Sequence, residues 1–306
     1  VSGKSSRRSR VVRTSAIKET VADLKKTLEE YWVLFSGNML GVTGLLMLGI
    51  FVIIAVAAPY LAPYGEWEMG VCKPFEPPSS IHLFGCDELG RDLFTLFLYG
   101  TRVSLIVGIV AALISTMIGG TIGIVAGYTG GKIDSLLMRI TDTFLSIPAI
   151  VLMIILAALL GPSFINIIIV IAILTWPPIA RIVRSQVLSV KEYPYIEAAR
   201  AVGAGSLRIM SKHILPNVMP ILFANMILQI SNAIIAEAAL SFLGLGDPHT
   251  TSWGMILHYA HVSGAIAAGY WWYVIPPGLG ILFLVLSFVL IGYALDEIVN
   301  PRLRRA

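Results

Sequence analysis

Residues 143–180 read TFLSIPAIVLMIILAALLGPSFINIIIVIAILTWPPIA, 38 residues without a single Asp, Glu, Lys or Arg. A helix that crosses the hydrocarbon core of a bilayer needs about 20 mostly apolar residues. The run is too long for one crossing and long enough for two. Gly161-Pro162-Ser163 supplies the break, a turn-forming triplet inside a continuous apolar pattern, so the stretch reads as a tight hairpin of two spans. Upstream, 29 uncharged residues between Arg102 and Lys132 give a span over about 103–127. Another, 40–61, lies inside the uncharged run from Tyr31 to Gly65. Downstream, a fifth span starts after Pro216 and runs to about Gly244. The sixth covers about 274–295, behind the aromatic group Tyr270, Trp271, Trp272 and Tyr273, which suits a membrane interface.

Six spans in 306 residues make this an all-α membrane protein, and the composition agrees: 57% hydrophobic and 13% charged, against about 25% charged in soluble chains. An ordinary soluble enzyme is excluded, and a net charge of +4 is too small for a nucleic-acid binder. The first span sits behind a long tail with no small-residue cleavage site after it, so it reads as retained rather than as a signal peptide.

Of the 22 Lys and Arg residues, 19 fall in the N-terminal tail, the 128–142 region, the 181–217 region and the C-terminal tail; Lys73, Arg91 and Arg102 fall on the other side. The positive-inside rule then places both termini in the cytoplasm, which an even number of spans requires. The chain divides into a basic cytoplasmic tail with a lead-in helix (1–39), span one (40–61), an extracytoplasmic loop with an interfacial helix (62–102), a five-span core (103–298) and a cytoplasmic tail (299–306). The extracytoplasmic loop carries both cysteines, Cys72 and Cys86. Its compartment favours a disulfide over two free thiols.

The segment 191–217, KEYPYIEAARAVGAGSLRIMSKHILPN, differs from everything around it. After Pro194 the alanine-rich stretch 195–202 favours a short helix. Glu197 lies in its first turn, where a carboxylate complements the helix dipole, and Gly203 is placed to end it with positive φ. A second short helix, about 206–213, is expected to stop at Pro216, which opens span five. Ala198, Ala199 and Ala201 leave a face that another surface can approach closely.

Glu197-Ala198-Ala199, then Gly203, then His213-Ile214-Leu215-Pro216 resembles the EAA loop of bacterial and archaeal ABC importers. His213 stands where the general pattern has Ile, and a His-Ile-Leu-Pro-Asn ending resembles the peptide and nickel permease branch. Phe84-Gly85-Cys86-Asp87-Glu88-Leu89-Gly90-Arg91-Asp92 and Tyr99-Gly100-Thr101-Arg102-Val103-Ser104-Leu105 resemble that branch's signature ahead of span two. Ala239-Leu240-Ser241-Phe242-Leu243-Gly244-Leu245-Gly246, Trp253-Gly254 and the closing Asn300-Pro301-Arg302-Leu303 match it as well. The resemblance, to dipeptide/oligopeptide-type C subunits, implies a type I ABC importer permease fold in the cell membrane. It further implies a coupling helix that sits on an ATPase, with Glu197, Ala198, Ala199, Gly203, Leu215 and Pro216 as coupling residues. The implied partners are a paralogous permease subunit, two cytoplasmic ABC ATPases and an extracytoplasmic substrate-binding protein. The implied substrate is a di- or oligopeptide, with oligosaccharides or nickel as alternatives.

No Walker A loop is present: at Gly130-Gly131-Lys132, Ala126 and Ile133 stand where Gly and Ser/Thr are required. No cofactor is expected on this chain, with ATP and Mg held by partner ATPases, and no metal site. Gly119, Gly123 and Gly127 recur every fourth residue, the small-xxx-small spacing of close helix packing. Asn225, Gln229 and Asn232 share a face of span five and, with the intramembrane carboxylate Glu237, are candidates for the translocation path. Glu237 is also the one group that could serve a rival reading, an intramembrane enzyme. A standalone channel would leave the 191–217 loop unexplained.

Overall fold

The structure, a computed structural model, describes residues 32–299. The basic N-terminal tail and the close at 300–303 lie outside the described residues. Within them the chain is helical: α1 (Met39–Leu61), α2 (Leu93–Thr129), α3 (Gly131–Ser146), α4 (Ala149–Leu160), α5 (Phe164–Thr175), α6 (Pro177–Val190), α7 (Pro194–Ala201), α8 (Ser206–Phe242), α9 (Trp253–Val262) and α10 (Trp271–Val299). Four of these, α1, α2, α8 and α10, are each long and apolar enough to cross a membrane. The pairs α3–α4 and α5–α6 reach that standard only together, and each pair is bent, by 85° and 41°.

The bends correct the reading of 143–180 as a hairpin of two simple spans. Pro148 has no N–H to donate and forces the residue before it out of the helical region. Ile147 accordingly adopts φ −107°, ψ 133° and ends α3. Pro177 opens α6 at its first position, where its missing donor costs nothing, while Trp176 before it stays in the helical region at φ −71°, ψ −27°. The turn at Gly161 is where it was expected, with φ +82°. Asn166 Nδ2 donates to the Leu160 carbonyl at 2.9 Å, closing the α4 end.

α2 is the central post. It packs against α6, α8, α5 and α1, while α10 packs on α8 and α1. The glycine stripe faces α6: a Cβ on Gly119 would stand 2.6 Å from the Trp176 carbonyl oxygen, and one on Gly127 2.8 Å from Val187 Cβ. α1 approaches α10 as closely, for a Cβ on Gly44 would lie 2.7 Å from the Ser287 carbonyl oxygen. At its first turn, Asn38 Oδ1 accepts from the Gly41 N–H at 3.0 Å, and Asn38 Nδ2 donates to Glu297 at 2.7 Å.

Two element boundaries depart from the sequence reading. Residues 62–92 contain no regular helix; the expected interfacial helix is the first part of α2, which starts at Leu93 because Asp92 caps it, accepting from Thr95 N–H at 2.8 Å. Pro216 does not stop a helix either. One helix runs from Ser206 to Phe242 through a π-type turn at Met210–Ile214, where Leu215 N–H bonds the carbonyl of Met210, five residues back. The wide turn absorbs a residue with no N–H of its own.

Candidate coupling surface

The 191–214 segment forms a knob at one end of the bundle. Tyr193 N-caps α7 in an extended conformation and Pro194 takes its first position. The helix ends at Gly203 in a full Schellman motif: Gly203 N–H bonds the Arg200 carbonyl at 2.9 Å and Ala204 N–H the Ala199 carbonyl at 3.0 Å. Gly203 has φ +82°, a conformation that L side chains disfavour.

Under the knob lie Ile196, Ile209 and Ile214, all fully buried, in one cluster with Val183, Val187 and Val190 of α6 and Ile124 of α2. Ile214 lies five positions after Ile209. On an α-helix that spacing would place them about 140° apart, and the π-type turn brings both inward. On the outer surface Glu197 and Ala198 are exposed, Ala199 and Leu215 half-buried and Pro216 exposed. Between them stand Val202 at 85% and Leu207 at 77% exposure. Sequence reasoning singled out the small residues and missed both the isoleucine base and these two exposed apolar side chains. The odd Ile–Ile spacing was the available signal.

Charges fasten the knob to its neighbours. Lys191 Nζ donates to the Gly127 carbonyl, the end of α2, at 3.2 Å, and the Arg200 guanidinium lies 5.3 Å from the Tyr128 ring centre. Arg184 of α6 grips Asp134 of α3 through two hydrogen bonds of 2.5 and 2.6 Å. Arg181 pairs with Asp142 at 2.5 Å, both about half exposed.

Two of the three residues counted onto one face of span five touch: Asn232 Nδ2 donates to Gln229 Oε1 at 3.5 Å. Asn225 Nδ2 turns back to the Ile221 carbonyl of its own helix at 2.8 Å. Gln229 is buried with Nε2 unpartnered, and Asn232 is exposed. Glu237 is buried at 2% exposure, with Ser241 Oγ donating to it at 2.7 Å. An apolar groove of about 340 Å³ lies between α2 and α8, lined by Thr116, Met117, Gly120, Met219, Phe223 and Met226 among others.

At the opposite end, residues 62–92 form a tightly cross-linked loop in which Cys72 and Cys86 are joined as a disulfide. Asp87 Oδ1 accepts from the N–H groups of Leu89 and Arg91, both at 2.8 Å, while Oδ2 takes Arg91 Nε at 2.5 Å. His82 Nδ1 contacts Asp92 at 3.0 Å. Tyr273 of α10 donates its hydroxyl to Glu88 at 2.6 Å; burial pushes the Glu88 carboxyl above the usual range, with that hydrogen bond opposing it. Cys72, His82 and Cys86 are the one metal-like grouping among the described residues, and the disulfide occupies both of its sulfurs. Nδ1 of His258 contacts the Phe242 carbonyl at 2.9 Å and His261 packs on the Phe242 ring.

Residues 119–305 match the family described as binding-protein-dependent transport system inner membrane component, and residues 27–78 match the N-terminal TM domain of oligopeptide transport permease C. The dipeptide transport system permease protein DppC of Bacillus subtilis is 40% identical over 278 residues, covering 90% of this chain and 86% of that protein. The DppC protein of Haemophilus influenzae is 36% identical over 288 residues, covering 92% and 97%. Among solved structures, an inward-facing MetNI methionine ABC transporter chain superposes with a TM-score of 0.52 at 24% identity, over 67% of this chain and 94% of that one, a likeness of fold. The chain belongs to the family of binding-protein-dependent transport system inner membrane components and is a multi-pass permease subunit of the ABC importer type.

Proposed function

We propose that this chain is a transmembrane subunit of an ATP-driven importer of di- and oligopeptides. It crosses the membrane six times, counting each bent pair as one span, with both termini in the cytoplasm. It pairs with a paralogous permease to form the pathway, under an extracytoplasmic binding protein and above two ATPase subunits that hold ATP and Mg. Peptide as substrate rests on relatives that are dipeptide permeases.

One observation carries the coupling role: a knob with exposed Val202, just after α7, and exposed Leu207, in the first turn of α8, sits on a fully buried isoleucine base packed with residues of α2 and α6. Side chains this exposed and apolar on a polar end of the bundle fit a partner's groove. The base makes the knob a rigid extension of the helices, so a push on it moves them as bodies. ATP binding closes the ATPases, shifts the knob, and tilts the bundle between inward-open and outward-open forms.

The test is co-purification and uptake. The tagged chain is expected to bring ATPase subunits with it, and cells or proteoliposomes carrying the complex to accumulate labelled dipeptide in an ATP-dependent way. Gly203→Val should abolish uptake while the permease remains in the membrane. Purification without an ATPase, or uptake unchanged by that substitution, would sink the reading. Parallel uptake of oligosaccharide and Ni²⁺ separates the substrate classes.

A further inference from the structure

Glu237 has no part in the coupling surface, yet its surroundings are built with care. Ser241 of α8 donates to its Oε1 at 2.7 Å. The hydroxyls of Ser104, from α2, and Ser252, the N-cap of α9, face the same carboxylate. Oε2 of Glu237 and Oγ of Ser104, both buried, have no hydrogen-bond partner. A carboxylate out of water is costly unless polar groups surround it, and here three elements each contribute one.

The same three elements touch at backbone distance around it. A Cβ on Gly254 of α9 would lie 2.7 Å from both the Ala238 carbonyl oxygen and Ser241 Cβ of α8, and one on Gly100 of α2 would lie 2.9 Å from Trp253. Trp253 is fully buried and donates Nε1 to the Phe97 carbonyl of α2 at 3.1 Å. The motif residues Gly100, Ser104, Ser241, Trp253 and Gly254, separated in sequence, thus converge on one junction. It fastens the flap formed by 243–262 to the ends of α2 and α8.

α8 is unbroken from Ser206 to Phe242, 37 residues, or about 55 Å at the helical rise. Its other end begins in the coupling segment, where Ile209 and Ile214 are fully buried. A single rod therefore bears the knob at one end and the Glu237 junction at the other.

We infer that Glu237 is a positioning residue that locks the 243–262 flap to α8, so that loading of the binding protein on the flap's side is passed along α8 to the ATPase side. The inference rests on the importer reading above. The test uses the whole transporter in proteoliposomes and measures ATPase activity with and without peptide-loaded binding protein. Glu237→Ala should leave complex yield and basal ATPase as in the wild type while the stimulation ratio falls at least about fivefold, the lower end of usual coupling strengths. Glu237→Gln keeps an acceptor for Ser241 and should restore most of the ratio. If Glu237→Ala does not assemble, Ser104→Ala decides, since it removes one hydroxyl and keeps the carboxylate: a lowered ratio at unchanged basal rate supports the inference, and an unchanged ratio overturns it. An undiminished ratio in Glu237→Ala overturns it too, as does a parallel fall of yield, basal and stimulated rates in both Glu237 variants. A wild-type complex without any stimulation counts instead against the importer reading.

Discussion

Gly123 offers the sharpest test of how α2 and α6 meet. A Cβ there would stand 2.6 Å from the Ala180 carbonyl oxygen, 2.8 Å from Val183 Cβ and 3.0 Å from the Arg184 nitrogen. Non-bonded carbons rest about 3.5–4.0 Å apart, so Gly123→Ala forces α6 back by roughly 1 Å. Overpacking of this kind costs about 1–3 kcal/mol. Alanine also returns up to about 1 kcal/mol of helix propensity over glycine, which clouds a single measurement. Gly49→Ala in α1 supplies the control, because a Cβ at Gly49 meets nothing within 4 Å. Propensity is common to both changes and cancels in the comparison, so their difference isolates the clash. Gly123→Ala should be less stable than Gly49→Ala by about 1–3 kcal/mol, read from the unfolding of the purified transporter in detergent. Equal stability, or greater stability for Gly123→Ala, would refute the close approach of the two helices. Uptake should fall as well, since α6 leads into the coupling helix after three residues, 191–193.

Three further outcomes follow from the opposite end and from the ion pairs. Cys72→Ser with Cys86→Ser removes a cross-link worth about 3 kcal/mol for a loop of this length; limited proteolysis should cleave 62–92 faster, and intact mass under non-reducing conditions should show the wild-type bond. Because burial holds the Glu88 carboxyl above its usual range, the folded loop keeps a proton that the unfolded chain has already released. That contribution is complete below the ordinary carboxylate value and is lost as pH rises through the raised native one, so Glu88→Gln should flatten this part of the pH dependence of thermal stability. Arg181→Ala should change stability by at most about 1 kcal/mol, as exposed pairs do, while Arg184→Ala, which frees Asp134 from a two-bond grip at 14% exposure, should cost clearly more in the same unfolding assay; the reverse order would contradict the packing of α3 on α6.

Periodic features and single glycine turns were legible in the sequence; what packs against what was not. The four-residue glycine spacing announced a close helix contact, though not which helix would fill it. Gly203 announced a left-handed turn because glycine alone takes φ +82° without strain. Pro216 misled, since a five-residue turn at Met210–Ile214 carries the helix through it. Gln229 and Asn232 share a face, as counting predicts, and bond each other at 3.5 Å; that one is buried and the other exposed was not legible, because the neighbouring helices decide what covers a face. The signature around Asp87 showed as a motif without a reason. The structure supplies one: Asp87 holds the turn and Arg91, and Asp92 starts α2.

The 38-residue uncharged run also takes on a mechanical meaning from its ends. Asp142 and Arg181 bracket it in sequence and pair at 2.5 Å in space, so the excursion they enclose returns to the level at which it left. Pro148 and Pro177 bend the chain just inside that pair. Outside the bends, α3 and α6 are held together by Arg184 and Asp134 and to α2 by the glycine stripe. Within the bends, α4 and α5 are short, apolar and free of charge. A force on the knob therefore meets a stiff layer of α3, α6 and the end of α2 first. The two proline joints are the places where that layer can tilt without dragging the α4–α5 hairpin, since each already lacks the backbone hydrogen bond that would resist bending. The alternating access proposed above can therefore run on rotation at these two joints, without deformation of a helix.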